Sequence, residues 1–302
     1  MQFVCIGVEG STGTLMQHLN SELVQLKKEK VDYSLEQIDK DGSTSIVCSI
    51  NDDNYYNEKS VRSYRALKVR IAHALADYII RQYEEKLILR TINSNYCYFN
   101  AAEKRDILNN VLKMIENSDK NGQYGLFKIR RRNIIIRKLL DYFESTNSLI
   151  LDGFVNFRLK DYIKDLEEIV DKAVDDYLMD REYKEFIRLL RYFVDIQEPK
   201  ADVIHVIAGY NCNYMLLDQS KKEITNECIQ EFISEVSDGE INYDDLLVSS
   251  LITFAPRKIV IHCDGQIKNK ELLETIKNVF SGKVVICNGC ELCLVNVVKT
   301  EK

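Results

Sequence analysis

Three segments in the last third of the chain decide the fold: Lys200-Ala-Asp-Val-Ile-His-Val-Ile-Ala-Gly209, Pro256-Arg-Lys-Ile-Val-Ile-His-Cys-Asp-Gly265 and Lys283-Val-Val-Ile-Cys-Asn-Gly-Cys-Glu-Leu-Cys293. Each contains a short run of apolar, β-branched residues bounded by turn-forming residues, and helical patterns separate the three. Buried strands of an α/β layer have this pattern. We therefore predict three mostly buried strands in one sheet, at Val203–Ile207, Ile259–Ile261 and Val284–Cys287.

Working outward, the rest of the chain divides by pattern into two further regions. Residues 1–58 predict a small N-terminal β-α-β unit, with strands at 2–8 and 45–50 and a helix at 14–29. Residues 59–198 form a large helical middle, and residues 199–302 form the C-terminal α/β region. The predicted fold class is therefore mixed α/β, with a C-terminal layer that ends in a β-hairpin.

Composition is typical of a folded protein in a reducing compartment. The chain has 302 residues, of which 45% are hydrophobic and 29% charged. The longest uncharged apolar run, Leu246–Pro256, is far shorter than the roughly 20 residues that a membrane helix needs. The first ten residues have no basic segment of the kind that opens a signal peptide. An odd number of cysteines, nine, favours reduced thiols. We expect a cytoplasmic protein without a membrane span.

Positive charge is concentrated in one block. Residues 59–138 carry 18 Lys or Arg against 7 Asp or Glu, and the run Lys128 to Lys138 holds six cations and no acid. Cations on a helix face can neutralise phosphates without reading a base sequence. Arg130, Arg131 and Arg132 are therefore candidate contacts to nucleic acid or to an acidic protein partner. The alternative is that this face packs against the acidic helix predicted at Leu159–Leu178.

The terminal cysteines are a candidate metal site. Cys287-Asn-Gly-Cys290 has Asn-Gly, the strongest short hairpin signal, between two cysteines. Facing positions of a hairpin bring their Cβ atoms to about 4.5–5.5 Å, so both thiolates could bind one zinc ion. His262 and Cys263, at the end of the preceding strand, are the candidate remaining ligands. Strand alternation would turn Cys293 to the opposite face.

The alternative for this segment is three reduced cysteines buried as small hydrophobic side chains, and the residues alone favour it. His205, inside a strand, and His262, at a strand end, are likewise compatible with buried structural roles. The sequence contains no Ser-His-Asp arrangement, paired-carboxylate site or phosphate-binding P-loop that we can recognise. We therefore expect no cofactor, with zinc as the alternative, and we favour a protein that is not an enzyme.

Two stretches resemble a known family. They are Arg191-Tyr-Phe-Val-Asp-Ile-Gln-Glu-Pro-Lys-Ala-Asp-Val-Ile-His-Val-Ile207 and Asp245-Leu-Leu-Val-Ser-Ser-Leu-Ile-Thr-Phe-Ala-Pro-Arg-Lys-Ile-Val-Ile-His262. They are similar to the YtxC-like family of sporulation proteins, and the likeness extends roughly from Lys128 to Cys293. The resemblance implies a cytoplasmic protein of endospore-forming bacteria and brings no catalytic motif with it.

Three functional hypotheses follow from the sequence. The first is a sporulation-associated protein that acts through binding. The second is a nucleic-acid-binding protein that uses the basic block at 59–138. The third is an enzyme with a metal or thiol site near His262 and the terminal cysteines.

Overall fold

The computed structural model describes residues 2–8, 12–40, 43–50, 58–120, 125–208, 214–225, 243–262, 267 and 269–293. The chain divides into two compact units, Met1–Tyr177 and Leu178–Lys302. The division into three regions that the sequence suggested stays a prediction. Among the helices of the described ranges, none is both long enough and apolar enough to cross a membrane.

The first unit contains a four-stranded mixed sheet. Its strands are β1 (Gln2–Val8), β2 (Tyr33–Lys40), β3 (Ser43–Ile50) and β4 (Ser148–Ile150), in the order β2-β3-β1-β4. Strand β3 runs antiparallel to both β1 and β2, whereas β4 runs parallel to β1. Val4, Ile6 and Val8 are buried at alternate positions of β1, which is the pattern of a strand with one face in a core.

Residues 1–58 therefore contain one strand more than the predicted β-α-β arrangement. The additional strand is β2, which pairs with β3 along its whole length. It lies at the edge of the sheet, and Ile38 is exposed there. An edge strand buries little apolar surface, so its sequence carries only a weak apolar alternation and was not recognised.

Six helices are described in the first unit and at its border. They are α1 (Gly13–Lys28), α2 (Glu58–Asn95), α3 (Ala101–Lys120), α4 (Gly125–Ser145), α5 (Leu151–Arg158) and α6 (Lys160–Ile196). Helix α1 forms because Leu15, Leu19, Leu23 and Leu26 recur on one face, and all four are buried. The large helical middle is confirmed, and the acidic helix predicted at Leu159–Leu178 is part of one longer helix, α6, that continues to Ile196.

The second unit contains the sheet predicted from the three apolar runs. Its strands are β5 (Val203–Ala208), β6 (Tyr214–Leu217), β7 (Lys258–His262) and β8 (Val284–Ile286), in the order β6-β5-β7-β8. Besides the end of α6, the described part of this unit contains the helices α7 (Tyr243–Phe254) and α8 (Lys270–Val279). Strands β5, β7 and β8 are parallel neighbours. Ile204 and Ile259 are buried in the core of this unit.

The end of the described chain differs from the predicted hairpin. Strand β8 stops at Ile286, and Glu291–Cys293 is helical. Strand β8 is also only half-buried, because it is the last strand of the sheet. The Asn-Gly pair does make a turn, and Gly289 has a φ of +116°, but the turn leads into a helical segment. The prediction of a two-residue β-hairpin around Asn288-Gly289 is therefore wrong.

Candidate metal centre

The parallel pairing of β7 and β8 brings His262 close to Cys287. His262 is the last residue of β7, and Cys287 follows directly after β8. Parallel strands have their carboxyl ends at the same edge of a sheet, where ligands of α/β proteins commonly bind. The Cys287 backbone N–H donates to the Ile261 carbonyl oxygen at 2.8 Å, so the two chain ends are held side by side.

The turn after Cys287 then returns two more thiols to the same place. Gly289 has a backbone conformation that L residues rarely adopt, which lets the chain reverse tightly. The Cys293 backbone N–H donates to the Cys290 carbonyl oxygen at 3.0 Å, closing a helical turn. Residues three apart in a helical turn lie on the same side. Cys290 and Cys293 therefore face the same point.

Four side chains converge as a result. The Cys290 sulfur lies 3.3 Å and the Cys293 sulfur 3.6 Å from Nδ1 of His262. The Cys293 sulfur is 3.9 Å from each of the other two sulfurs. The four ligand atoms of His262, Cys287, Cys290 and Cys293 all lie within 4.8 Å of one another. His262 is buried and the three cysteines are half-buried.

These spacings match a tetrahedral site for one metal ion. With zinc–sulfur and zinc–nitrogen bonds of about 2.3 and 2.05 Å, tetrahedral angles separate two sulfurs by about 3.8 Å and a sulfur from a nitrogen by about 3.6 Å. Four of the six separations, 3.9 Å for two sulfur pairs and 3.3 and 3.6 Å for two sulfur–nitrogen pairs, are close to these values. The other two pairs, which join Cys287 to Cys290 and to His262, lie within 4.8 Å. Three thiolates and one imidazole form a donor set typical of structural zinc sites.

A second histidine lies directly behind His262. Nδ1 of His205, on β5, is 3.0 Å from Nε2 of His262. If Nδ1 of His262 binds a metal ion, it uses its lone pair, so Nε2 would carry the hydrogen and donate to Nδ1 of His205. Histidines that bind metals commonly make such a bond with their other nitrogen, which sets the tautomer and the orientation of the ring. His205 therefore has the position of an outer-shell partner.

The electrostatic environment keeps the candidate ligand neutral. Desolvation by burial, followed by repulsion from His205, lowers the pKa of His262. Desolvation is also the main reason why the pKa of His205 is lowered, with Lys221 and Lys258 adding to it. A neutral imidazole is the form that binds a metal ion. Near pH 7 His262 can therefore present a lone pair to the cysteine cluster.

The Cys287 thiol receives opposing influences. A hydrogen bond from the backbone N–H of Gly289 lowers its pKa, whereas desolvation and the neighbouring Cys290 and Cys293 raise it, and the pKa is raised overall. Crowded thiols resist simultaneous ionisation because their charges repel. A divalent cation between them would reverse this effect, because it stabilises every thiolate it contacts.

The structure assembles most, but not all, of the residues that the sequence proposed for this site. Cys287, Cys290 and His262 come together as expected. Cys263 lies outside the described residues. Cys293 was expected on the opposite face and is instead part of the cluster, because its segment is a helical turn and not a strand. His205 was interpreted as a core histidine, and the sequence contains no signal for the strand register that places it behind His262.

Two arginines of the basic run are paired with carboxylates. Arg131 is 1% exposed and forms an ion pair with Glu84, which also accepts a hydrogen bond from Tyr162. Arg132 makes two hydrogen bonds to Asp77, of 2.6 and 3.0 Å. The anion contact predicted for Arg131 and Arg132 stays a prediction, and the structure argues against it because both guanidinium groups face carboxylates of the same unit.

Arg130 is exposed and remains a candidate. It lines a groove of about 1320 Å³ formed by α2 and α4. Among the described lining residues, Arg65, Lys68 and Arg137 are also cationic, and Asp141 and Glu144 are acidic. The alternative prediction, that the basic face packs on the acidic helix, is supported by the 2.9 Å ion pair of Lys138 with Asp161 of α6.

Comparison with known proteins places the chain in a family. The model of the YtxC-like family matches residues 69–285, which is most of the chain. The chain belongs to the YtxC-like family. It is similar to the "Uncharacterized protein YtxC" of Bacillus subtilis (strain 168), with 26% identity over 215 residues, 70% of this chain and 73% of that protein. No solved structure matches. The family match includes His205 and His262 and ends two residues before Cys287.

Proposed function

We propose that this protein binds one structural zinc ion through His262, Cys287, Cys290 and Cys293. The observation that carries the proposal is the convergence of the four ligand atoms within 4.8 Å, with four of their six separations close to those around one tetrahedral ion. A multi-iron cluster suits these separations less well, because it spreads its cysteine ligands over different iron atoms.

Four protein ligands also favour a structural role over a catalytic one. Catalytic zinc sites use three protein ligands and keep the fourth position for water or substrate. Here a fourth side chain is already within reach, so the complete site has no coordination position for a reactant. The geometry therefore favours a binding protein over a metal or thiol enzyme.

The biological role that we propose is sporulation-associated binding in the cytoplasm. Its support is the family resemblance, together with a cluster of thiols that needs a reducing compartment to remain able to bind metal. The test is genetic: deletion of the gene in an endospore-forming host should reduce the number of heat-resistant spores. The wild-type gene should restore them, and a gene with both Cys290→Ser and Cys293→Ser should not. An unchanged spore count would contradict the role in sporulation.

Elemental analysis tests the metal site directly. The full chain, purified under reducing conditions without added metal, should contain one zinc ion per chain. Cys290→Ser and Cys293→Ser should each lose most of it, because each removes one of the four ligands. Cys97→Ser is the matched control, since Cys97 is an exposed cysteine outside the cluster. Less than stoichiometric metal in the wild type, with no uptake on reconstitution, would contradict the proposal.

A second pair of variants decides the ligand set. If the four residues named above are the ligands, Cys263→Ser keeps its zinc and His262→Ala loses it. Loss of zinc in Cys263→Ser, together with its retention in Cys293→Ser, would instead support the set expected from the sequence. Both variants are scored by zinc content and by the thermal stability of the metal-loaded protein.

Binding of nucleic acid through the groove between α2 and α4 is the alternative function. The observation that favours it is the grouping of Arg65, Lys68, Arg130 and Arg137 along one groove. DNA and RNA affinity should then fall with salt, and an Arg130→Ala, Arg137→Ala double variant should flatten the log–log slope by about one unit per lost phosphate contact. Arg188→Ala, an exposed arginine elsewhere, is the control. A wild type that does not bind at low salt would exclude this function.

A further inference from the structure

The C-terminal half of α6 has two apolar faces. One is buried in the core of the second unit through Ile187 and Val194, with Leu190 packed against that core. On the same side of the helix, Nε and Nη2 of Arg191 donate to the Asn278 carbonyl oxygen at 3.1 and 2.5 Å. This face explains why the helix belongs to the unit. The second apolar face of α6 is exposed and does not contribute to this core.

The second face is a stripe of large, exposed hydrophobic side chains. Their exposed fractions are between 50% and 68%, and the residues are Met179, Phe186, Leu189, Phe193 and Ile196. Steps of three, four and three residues separate the last four, and Met179 is one heptad before Phe186. This is the a and d spacing of a helix that pairs with another helix. Charged residues such as Lys184 and Arg188 occupy a different side of the helix.

We propose that this stripe is a self-association surface, on which α6 of one copy packs against α6 of a second copy. A stripe of a and d residues is complementary to itself, because the side chains of one helix fit between those of an identical helix. A closed pair built from the same surface on both copies is the commonest form of protein oligomer. Within the stripe, Glu182 is the one charged residue at a heptad position, and it lies near the amino-terminal end.

The area of the stripe is sufficient for a dimer. Five half-exposed large side chains and the neighbouring Tyr192 offer on the order of 100 Å² each, or about 600 Å² per copy. Pairing two copies would bury about 1,200 Å² in total, the lower limit of a standard specific interface. Monomeric proteins rarely expose contiguous apolar patches much above a few hundred Å². A second copy removes this patch from water without needing a partner of different chemistry.

Analytical ultracentrifugation of the full chain tests the proposal. The wild type should sediment as a reversible dimer, with an apparent mass that doubles as its concentration rises. Leu189→Glu and Phe193→Lys should each remain monomeric, because each places a charge in the stripe. Phe157→Glu is the matched control, since Phe157 is 73% exposed in the other unit, and it should dimerise like the wild type. Circular dichroism verifies that every variant is folded.

Mixing charge variants tests whether the stripe contacts itself. An antiparallel pair that overlaps the whole stripe places Leu189 opposite Phe186 of the second copy, so Leu189→Glu mixed with Phe186→Lys should restore the dimer if the helices are antiparallel. Leu189→Glu mixed with Leu189→Lys should restore it if they are parallel. Restoration in either mixture supports the proposal. A wild type that is monomeric at the highest soluble concentration would overturn it, as would a dimer that Leu189→Glu leaves intact or a lack of restoration in both mixtures.

Discussion

Replacing His205 by leucine should weaken zinc binding although His205 is not a ligand. The change removes the acceptor 3.0 Å from Nε2 of His262 and keeps a side chain of similar size in the sheet. One hydrogen bond between neutral groups contributes about 0.5–1.5 kcal/mol, and one to a charged group contributes about 1.5–3 kcal/mol. A zinc-bound imidazole is polarised by the metal, so its hydrogen bond should approach the strength of one to a charged group. Loss of an outer-shell partner commonly costs about 10- to 100-fold in metal affinity, or about 1.4–2.8 kcal/mol.

Competition with a chromophoric chelator at pH 7 measures this affinity. His205→Leu should bind zinc about 10- to 100-fold more weakly than the wild type. His205→Asn should recover much of the loss, because its side-chain oxygen can accept the same hydrogen bond. His18→Leu, which changes a histidine of α1, should bind zinc like the wild type.

The affinity must be separated from the stability of the fold. Urea unfolding of the metal-free proteins should show similar free energies for the wild type and His205→Leu, because the bond matters most when the metal is bound. Equal zinc affinities of wild type and His205→Leu would refute the outer-shell role. A loss that His205→Asn does not recover would assign the effect to packing instead of hydrogen bonding.

Two further predictions concern stability. Glu84→Gln removes the carboxylate charge that faces the buried Arg131, so the free energy of unfolding should fall by about 3 kcal/mol or more in urea titrations. Glu185→Gln is the control, because Glu185 lies in an exposed ion pair, and it should change the free energy of unfolding by less than about 1 kcal/mol. Equal effects of the two substitutions would contradict the buried pair. Gly289→Ala should destabilise the zinc-loaded protein by about 1–3 kcal/mol, because a φ of +116° strains an L residue. Gly153→Ala, in helix α5, should show no such loss in thermal unfolding, and an equally stable Gly289→Ala protein would argue against the turn.

Three of the four described strands of the second sheet were predictable because they are compact apolar runs, whereas the edge strand β6 was not predicted. Val203–Ala208 and Lys258–His262 carry β-branched residues next to one another, and both lie inside the layer where such residues pack well. Strand β2 was missed because an edge strand needs little apolar surface. The three-residue strand β4 was missed because it lies between two helices and is too short to show a period.

The candidate site was predictable in composition but not in geometry. Cysteine spacing and a histidine at a strand end indicated which residue types could meet. The position of Cys293 depends on whether the chain continues as a strand or as a helical turn after Gly289, and strand alternation was the wrong assumption. His205 could not be assigned, because its neighbour is determined by the pairing of β5 with β7, between residues 57 positions apart.

The placement of the cysteines gives a physical reason for a metal at this end of the sheet. Strand β8 has three residues, and its side chains are half-buried or exposed, so burial of apolar surface stabilises its docking only weakly. In the described part of the segment after it, the Cys287 backbone N–H donates to the Ile261 carbonyl oxygen of β7. One ion bound by His262 of β7 and by three thiols after β8 would join these two strands through ligand bonds. A small sheet edge with little hydrophobic stabilisation is where a structural metal contributes most to folding, because its binding free energy is available only when the strands are paired.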